Sequence, residues 1–68
     1  MKLNDKQKAF YADVFEDEDY LEDLRQRYNS SWEIIYDPKP NDFDYALVID
    51  GLEWDRLDNH FVREIEKL

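Results

Sequence analysis

Cysteine is absent from this chain, glycine occurs once, proline twice and histidine once. Without cysteine there is no disulfide and no thiolate metal site, a composition that fits a reducing compartment. His60 is the only histidine, so no imidazole cluster can hold a metal. A Ser–His–Asp arrangement would have to draw on Ser30 or Ser31, and both belong to a turn signal. His60 is expected to face water or to pair with Glu64 one turn later. Gly51 stands alone, which excludes a glycine-rich phosphate loop. Long apolar runs are missing too. Nothing approaches the roughly 20 apolar residues of a membrane span, and the charged start MKLNDKQKAF has no signal-peptide core. A soluble cytoplasmic protein is expected.

Basic residues are also scarce, 9 against 18 acids, which gives a net charge of -9 in 68 residues. They are scattered from Lys2 to Lys67, whereas phosphate neutralisation needs them concentrated on one surface. Direct nucleic-acid binding is therefore not expected. What the chain does have is carboxylate and aromatic residues. The aromatic content of 16%, with apolar residues at regular spacings, marks a folded domain and not an acidic tail. A chain this short makes one domain, and one that buries only roughly 60% of its unfolded surface.

Hydrophobic spacing predicts an α+β fold in the order α-β-β-α. Asn4 and Gln7 have the spacing of a capping box and open an N-terminal helical segment. Phe10, Val14, Leu21, Leu24 and Tyr28 follow at helical intervals. Asp17 and Glu18 interrupt that stripe, so the segment is either one helix from 5 to 28 or two, with Asp17 capping the second. The break is the preferred reading. After Asn29 the period changes to two. Trp32, Ile34 and Tyr36 alternate with Glu33, Ile35 and Asp37, and Phe43, Tyr45, Leu47 and Ile49 alternate with Asp44, Ala46, Val48 and Asp50. With the prolines of residues 37–42 between them, these segments read as one antiparallel hairpin. Asp50 and Glu53 suggest a second capping box, opening a final helix with the stripe Trp54, Leu57, Phe61, Ile65 and Leu68. The expected core is Phe10, Val14, Leu24, Trp32, Ile34, Tyr36, Phe43, Tyr45, Leu47, Leu57, Phe61 and Ile65. Ile35, Ala46 and Val48 would then face outward among acids, a small patch that a homodimer could cover.

Abundant carboxylates invite a catalytic or metal reading. Calcium loops of the EF-hand type need a glycine at the sixth position and a glutamate at the twelfth. Neither 13–23 nor 37–50 has that pattern, and Asp42 with Asp44 would hold a cation only weakly. Paired glycosidase carboxylates need a cleft that so small a domain hardly offers. Lys39 is the only lysine near these acids, which leaves a metal nuclease without support. No enzyme activity, cofactor or metal is expected.

The acids themselves are the remaining signal. DVFEDEDYLED, residues 13–23, holds seven carboxylates and no base, while the flanking segments 1–12 and 24–32 each carry a net charge of +2. Charge concentrated in this way raises self-repulsion, and attraction of a basic partner is a physical reason to keep it. Asp13, Glu16, Asp17, Glu18, Asp19, Glu22 and Asp23 are the candidate contacts, extended by Asp42, Asp44, Asp55 and Asp58 if the second acidic region folds alongside. In size, charge and lack of cysteine the chain resembles phage-encoded inhibitors that occupy the nucleic-acid groove of a host enzyme, such as anti-CRISPR and anti-restriction proteins. The resemblance is one of type and rests on no shared motif. It implies a nucleic-acid mimic acting on a basic nucleic-acid-binding protein. An immunity protein or antitoxin against a nuclease, and a small dimeric acidic adaptor, are the alternatives.

Overall fold

The computed structural model describes residues 1–40 and 43–68. Elements follow the order α1 (Asp5–Ala12), α2 (Glu18–Gln26), β1 (Trp32–Tyr36), β2 (Tyr45–Ile49), β3 (Leu52–Leu57) and α3 (Asn59–Glu66). This is an α+β fold whose strands form an antiparallel sheet in the order β1-β2-β3. The helices cover one face of that sheet, around Trp32, Leu47, Leu24 and Ile65.

The Asn4–Gln7 capping box forms: the Asn4 side chain accepts from the Gln7 amide, and the Asn4 amide donates to Gln7 Oε1, both at 2.9 Å. Gln7 also donates through Nε2 to the Ile65 carbonyl at 3.1 Å, which ties the start of α1 to the end of α3. The helical segment is two helices, with the Asp17 side chain accepting from Asp19 and Tyr20 at the start of α2. Because α1 ends at Ala12, the expected stripe stops short. Tyr11 and Ala12 face the core, Phe10 is partly buried against Phe61, and Val14 lies past the helix, 53% exposed.

Asp50 and Gly51 do not open a helix. Both have positive φ, 53° and 80°, and Ile49 pairs with Leu52 across them. This is a two-residue hairpin turn of the left-handed kind that Asp-Gly favours, and it leads into a third strand. The helical spacing of Trp54 and Leu57 has a different origin. In a regular strand, residues three apart point to opposite faces. Here Leu47 pairs with Asp55 and Val48 with Glu53, so Trp54 is the extra residue of a bulge. The bulge resets the alternation, and Trp54 and Leu57 both pack against the core. The last helix begins eight residues later than its spacing suggests, at Asn59, where Asp58 accepts from the Phe61 amide at 2.7 Å.

Two more expected core residues lie outside it. Tyr36, at the end of β1, is 67% exposed, and Phe43, which precedes β2, is 45% exposed. Tyr36 rests edge-on against Tyr45 instead. Leu3, Tyr11, Ala12, Ile49 and Val62 fill the core beside the residues expected there. Residues 1–3 run along the outer edge of β1, with Leu3 donating to Trp32 and Ile34 to Met1. Half of that edge is thereby covered, which blunts strand-to-strand association.

Candidate protein-interaction site

The acidic run occupies the connection between α1 and α2 and the first turns of α2. Asp13 caps the C-terminus of α1, Asp17 the N-terminus of α2, and Glu18 and Asp19 fill the first turn, where the helix dipole favours anions. Asp13, Glu16, Asp17, Glu18, Asp19 and Glu22 are exposed. Charge balance divides the run. Arg25 approaches Glu22 at 4.0 Å and Arg27 approaches Asp23 at 3.5 Å, one turn further along α2. Among the described residues no base pairs with Asp13, Glu16, Asp17, Glu18 or Asp19. These five carboxylates are a run of exposed acids, within seven residues of sequence, that lack a basic partner among the described residues.

Of the second acidic region, Asp42 lies outside the described residues. Asp44 is half-buried, and its carbonyl accepts from the Asp37 amide at 2.8 Å. Asp55 and Asp58 come to the α1–α2 connection, where they line an open groove with Tyr11, Val14, Phe15 and Phe61. Both also hold the fold together: Asp58 caps α3, and Asp55 accepts from Tyr11 Oη at 2.7 Å and from the Arg56 amide at 2.8 Å.

Behind the groove lies a chain of aromatic polar groups. Trp54 Nε1 donates to Tyr20 Oη at 2.7 Å, the Tyr20 and Tyr11 hydroxyls are 3.2 Å apart, and Tyr11 donates to Asp55. With the Tyr11 hydroxyl hydrogen directed at Asp55, Tyr20 is the donor to Tyr11, so each hydroxyl gives one bond and receives one. Burial, with the bonds to Tyr20 and Asp55, holds the Tyr11 phenol protonated far above its usual range. The chain fixes α1, α2 and β3 relative to one another directly beneath the acids.

The sheet face turned away from the helices carries Glu33, Ile35, Ala46, Val48, Glu53 and Arg56. It is not the bare patch that the alternation suggests. Ile35 is exposed, but Ala46 is only 1% exposed, beside its cross-strand neighbour Arg56. The Arg56 guanidinium reaches over β2 to Asp37 Oδ2 at 2.9 Å, to the Phe43 carbonyl at 2.8 Å and to Glu53 at 3.1 Å. The Arg56 hydrogen bond lowers the Asp37 pKa, and the same bond raises that of Arg56. Little apolar surface is left there for a homodimer.

Lys8 is buried, unusually for a lysine, beneath the turn that follows α2. Its Nζ donates to the Tyr28 and Ser30 carbonyls and lies 5.7 Å from the Trp32 ring centre. It is therefore structural and takes no part in the exposed charge. His60 is exposed on the first turn of α3. Among the described residues no three acidic or histidine side chains converge on a metal position, and no helix is long and apolar enough to cross a membrane.

The groove and the Tyr11–Asp55 bond were not legible in the sequence, because both depend on β3 lying beside α1. The signal that could have located them is Asp50-Gly51 between two apolar segments, a hairpin turn. Comparisons with protein-family models, with curated proteins and with solved structures gave no match.

Proposed function

We propose that this domain is an acidic inhibitor that binds the basic surface of a nucleic-acid-binding protein in the cytoplasm, imitating nucleic acid, in the manner of inhibitors encoded by phages and mobile elements. The observation that carries the reading is the cluster of five carboxylates, Asp13, Glu16, Asp17, Glu18 and Asp19, exposed and without basic partners among the described residues. Elsewhere several of the scarce bases pair locally with acids, Arg25 and Arg27 on α2 and Arg56 across the sheet. The cluster sits on two helix ends fixed by caps, so a partner meets it at little ordering cost. Unbalanced charge of this kind speeds encounter with a basic surface and repels acidic competitors.

Dimensions agree with mimicry. The long axis is 31 Å, and duplex DNA of that length carries about 18 phosphates, comparable to the 18 acids of the chain. The reading assigns no catalysis to the domain.

The test is capture from host lysate on immobilised protein, followed by elution with duplex DNA or RNA. A mimic releases its partner when nucleic acid is added, since both compete for one groove. A partner that holds the domain and nucleic acid together, with unchanged affinity for each, rules mimicry out. Capture of a nuclease encoded beside this chain would turn the reading toward an immunity protein.

A further inference from the structure

We infer that the groove beside the acidic run seats one large apolar side chain of the partner, presented between lysine or arginine residues. This rests on the reading of residues 13–19 as the binding surface and adds the feature that selects among basic partners. Val14 and Phe15, which form one wall, lie between Asp13 and Glu16 in the acidic run itself. Leu57, Phe61 and the ring of Tyr11 form the rest of the apolar lining, with Phe43 at the far side.

The volume sets the size of the occupant. The groove measures about 170 Å³. An apolar cavity of roughly 150 Å³ holds a benzene ring, whereas small-molecule and cofactor sites run to about 300–1,000 Å³. One phenyl or isobutyl group fits, and a nucleotide does not. Tyr11, Phe15, Phe43 and Phe61 make most of the apolar part of the lining aromatic, which suits an aromatic edge or a branched aliphatic group.

Charge determines what flanks that side chain. Asp55 and Asp58 line the groove, and Asp13 and Glu16, both exposed, flank Val14 and Phe15 in sequence. Arg56, the one base on the wall among the described residues, turns its guanidinium to Asp37 and Glu53. The rim is therefore negative, and the complementary segment is basic. A second copy of this chain, with a net charge of -9, brings the wrong sign overall. Together, an apolar seat and an acidic rim read a short basic segment with one large apolar residue. Acids alone would accept any basic surface; the groove adds selectivity, as buried anchors do at interfaces.

The test uses three probes titrated into the isotope-labelled protein by NMR: the amidated pentapeptide Lys-Lys-Phe-Lys-Lys, its Lys-Lys-Ala-Lys-Lys counterpart, and acetyl-phenylalanine amide. The first should move the amides of Val14, Phe15, Leu57 and Phe61, and bind about tenfold or more tightly than either of the others. Val14→Asp, at an exposed position, provides the sharper arm. It removes apolar wall but adds negative charge. The phenylalanine peptide should lose about fivefold in affinity while the alanine peptide binds as well or better. Equal affinity for the two pentapeptides, both moving only residues 16–19, overturns the groove and leaves the acidic-surface reading standing. Equal affinity for acetyl-phenylalanine amide overturns the need for flanking bases. If no probe moves the groove and residues 16–19 also stay unmoved, both readings fall.

Discussion

The Tyr11 hydroxyl donates to Asp55 Oδ2 over 2.7 Å, joining α1 to β3 across 44 residues of sequence. Tyr11 is 1% exposed, so its hydroxyl depends on protein partners. Removing it leaves the Asp55 oxygen short of one donor and the Tyr20 hydroxyl without an acceptor. Tyr11→Phe should therefore destabilise the fold by about 1–3 kcal/mol, the cost of leaving a buried polar group unsatisfied. Denaturant unfolding measures it. A change within experimental error would mean that water replaces the bond.

The same phenol makes stability depend on pH at the alkaline end. Its folded-state pKa is raised, and its ordinary value is 10.0. The unfolded chain therefore loses this proton first, and the contribution is complete below pH 10 and lost as pH rises above it. The expected slope is about 1.4 kcal/mol per pH unit above 10 for this one group. Tyr11→Phe should flatten the alkaline limb of the stability curve by that amount.

Arg56 should control how Asp37 titrates. The Arg56 hydrogen bond, ahead of the charge of Lys39, lowers the Asp37 pKa from 3.8. Stabilisation from this group is thus complete above about pH 3.8 and disappears as pH falls through the lower folded-state value. In Arg56→Met the Asp37 carboxyl, followed by carbon NMR, should titrate closer to 3.8, and the Asp37 amide, bonded to the Asp44 carbonyl, should lose protection from hydrogen exchange. An unchanged titration would assign the shift to Lys39.

Local chemistry was legible in the sequence, and long-range pairing was not. Asn4 with Gln7, and Asp17 before the acidic turn, identified both early helix starts, because a cap is written within four residues. The first two strands followed from alternation. The third reads as helix from the Asp50–Glu53 spacing of a capping box and the Trp54-to-Leu68 stripe, but Asp50-Gly51 is a hairpin turn and the Trp54–Leu57 spacing comes from a bulge that resets the strand. That misreading displaced Arg56 from the sheet, and with it the cover over Ala46. It also separated Asp55 from Tyr11, so the second acidic region could not be placed beside the first. Val14 has core spacing only if the first helix reaches Phe15; the helix ends at Ala12, which leaves Val14 on the groove wall.

The protein should be a monomer. Stable interfaces bury about 1,200–2,000 Å², and the outer sheet face offers Ile35 and Val48 among Glu33, Glu53 and Arg56. Sedimentation at high micromolar concentration should give the mass of one chain, 8.4 kDa, and Val48→Lys should change neither mass nor fold. A dimer that Val48→Lys dissociates would restore that face as an interface.

The central claim is that the acids between α1 and α2 bring the partner in. Asp17→Asn, Glu18→Gln and Asp19→Asn together remove three charges while keeping a good N-cap, since Asn caps as well as Asp. The helices should remain, with a small loss from the weakened dipole interaction. The decisive measurement is the association rate constant of the captured partner with the wild-type domain and with this triple variant, at several ionic strengths. The account predicts association about tenfold slower or more for the variant, and a wild-type rate that falls with salt toward the variant's as the Debye length shrinks from about 10 Å at 0.1 M to 3 Å at 1 M. Equal rates for the two proteins, with the same weak salt dependence, would contradict it and reduce the acidic run to a solvated surface.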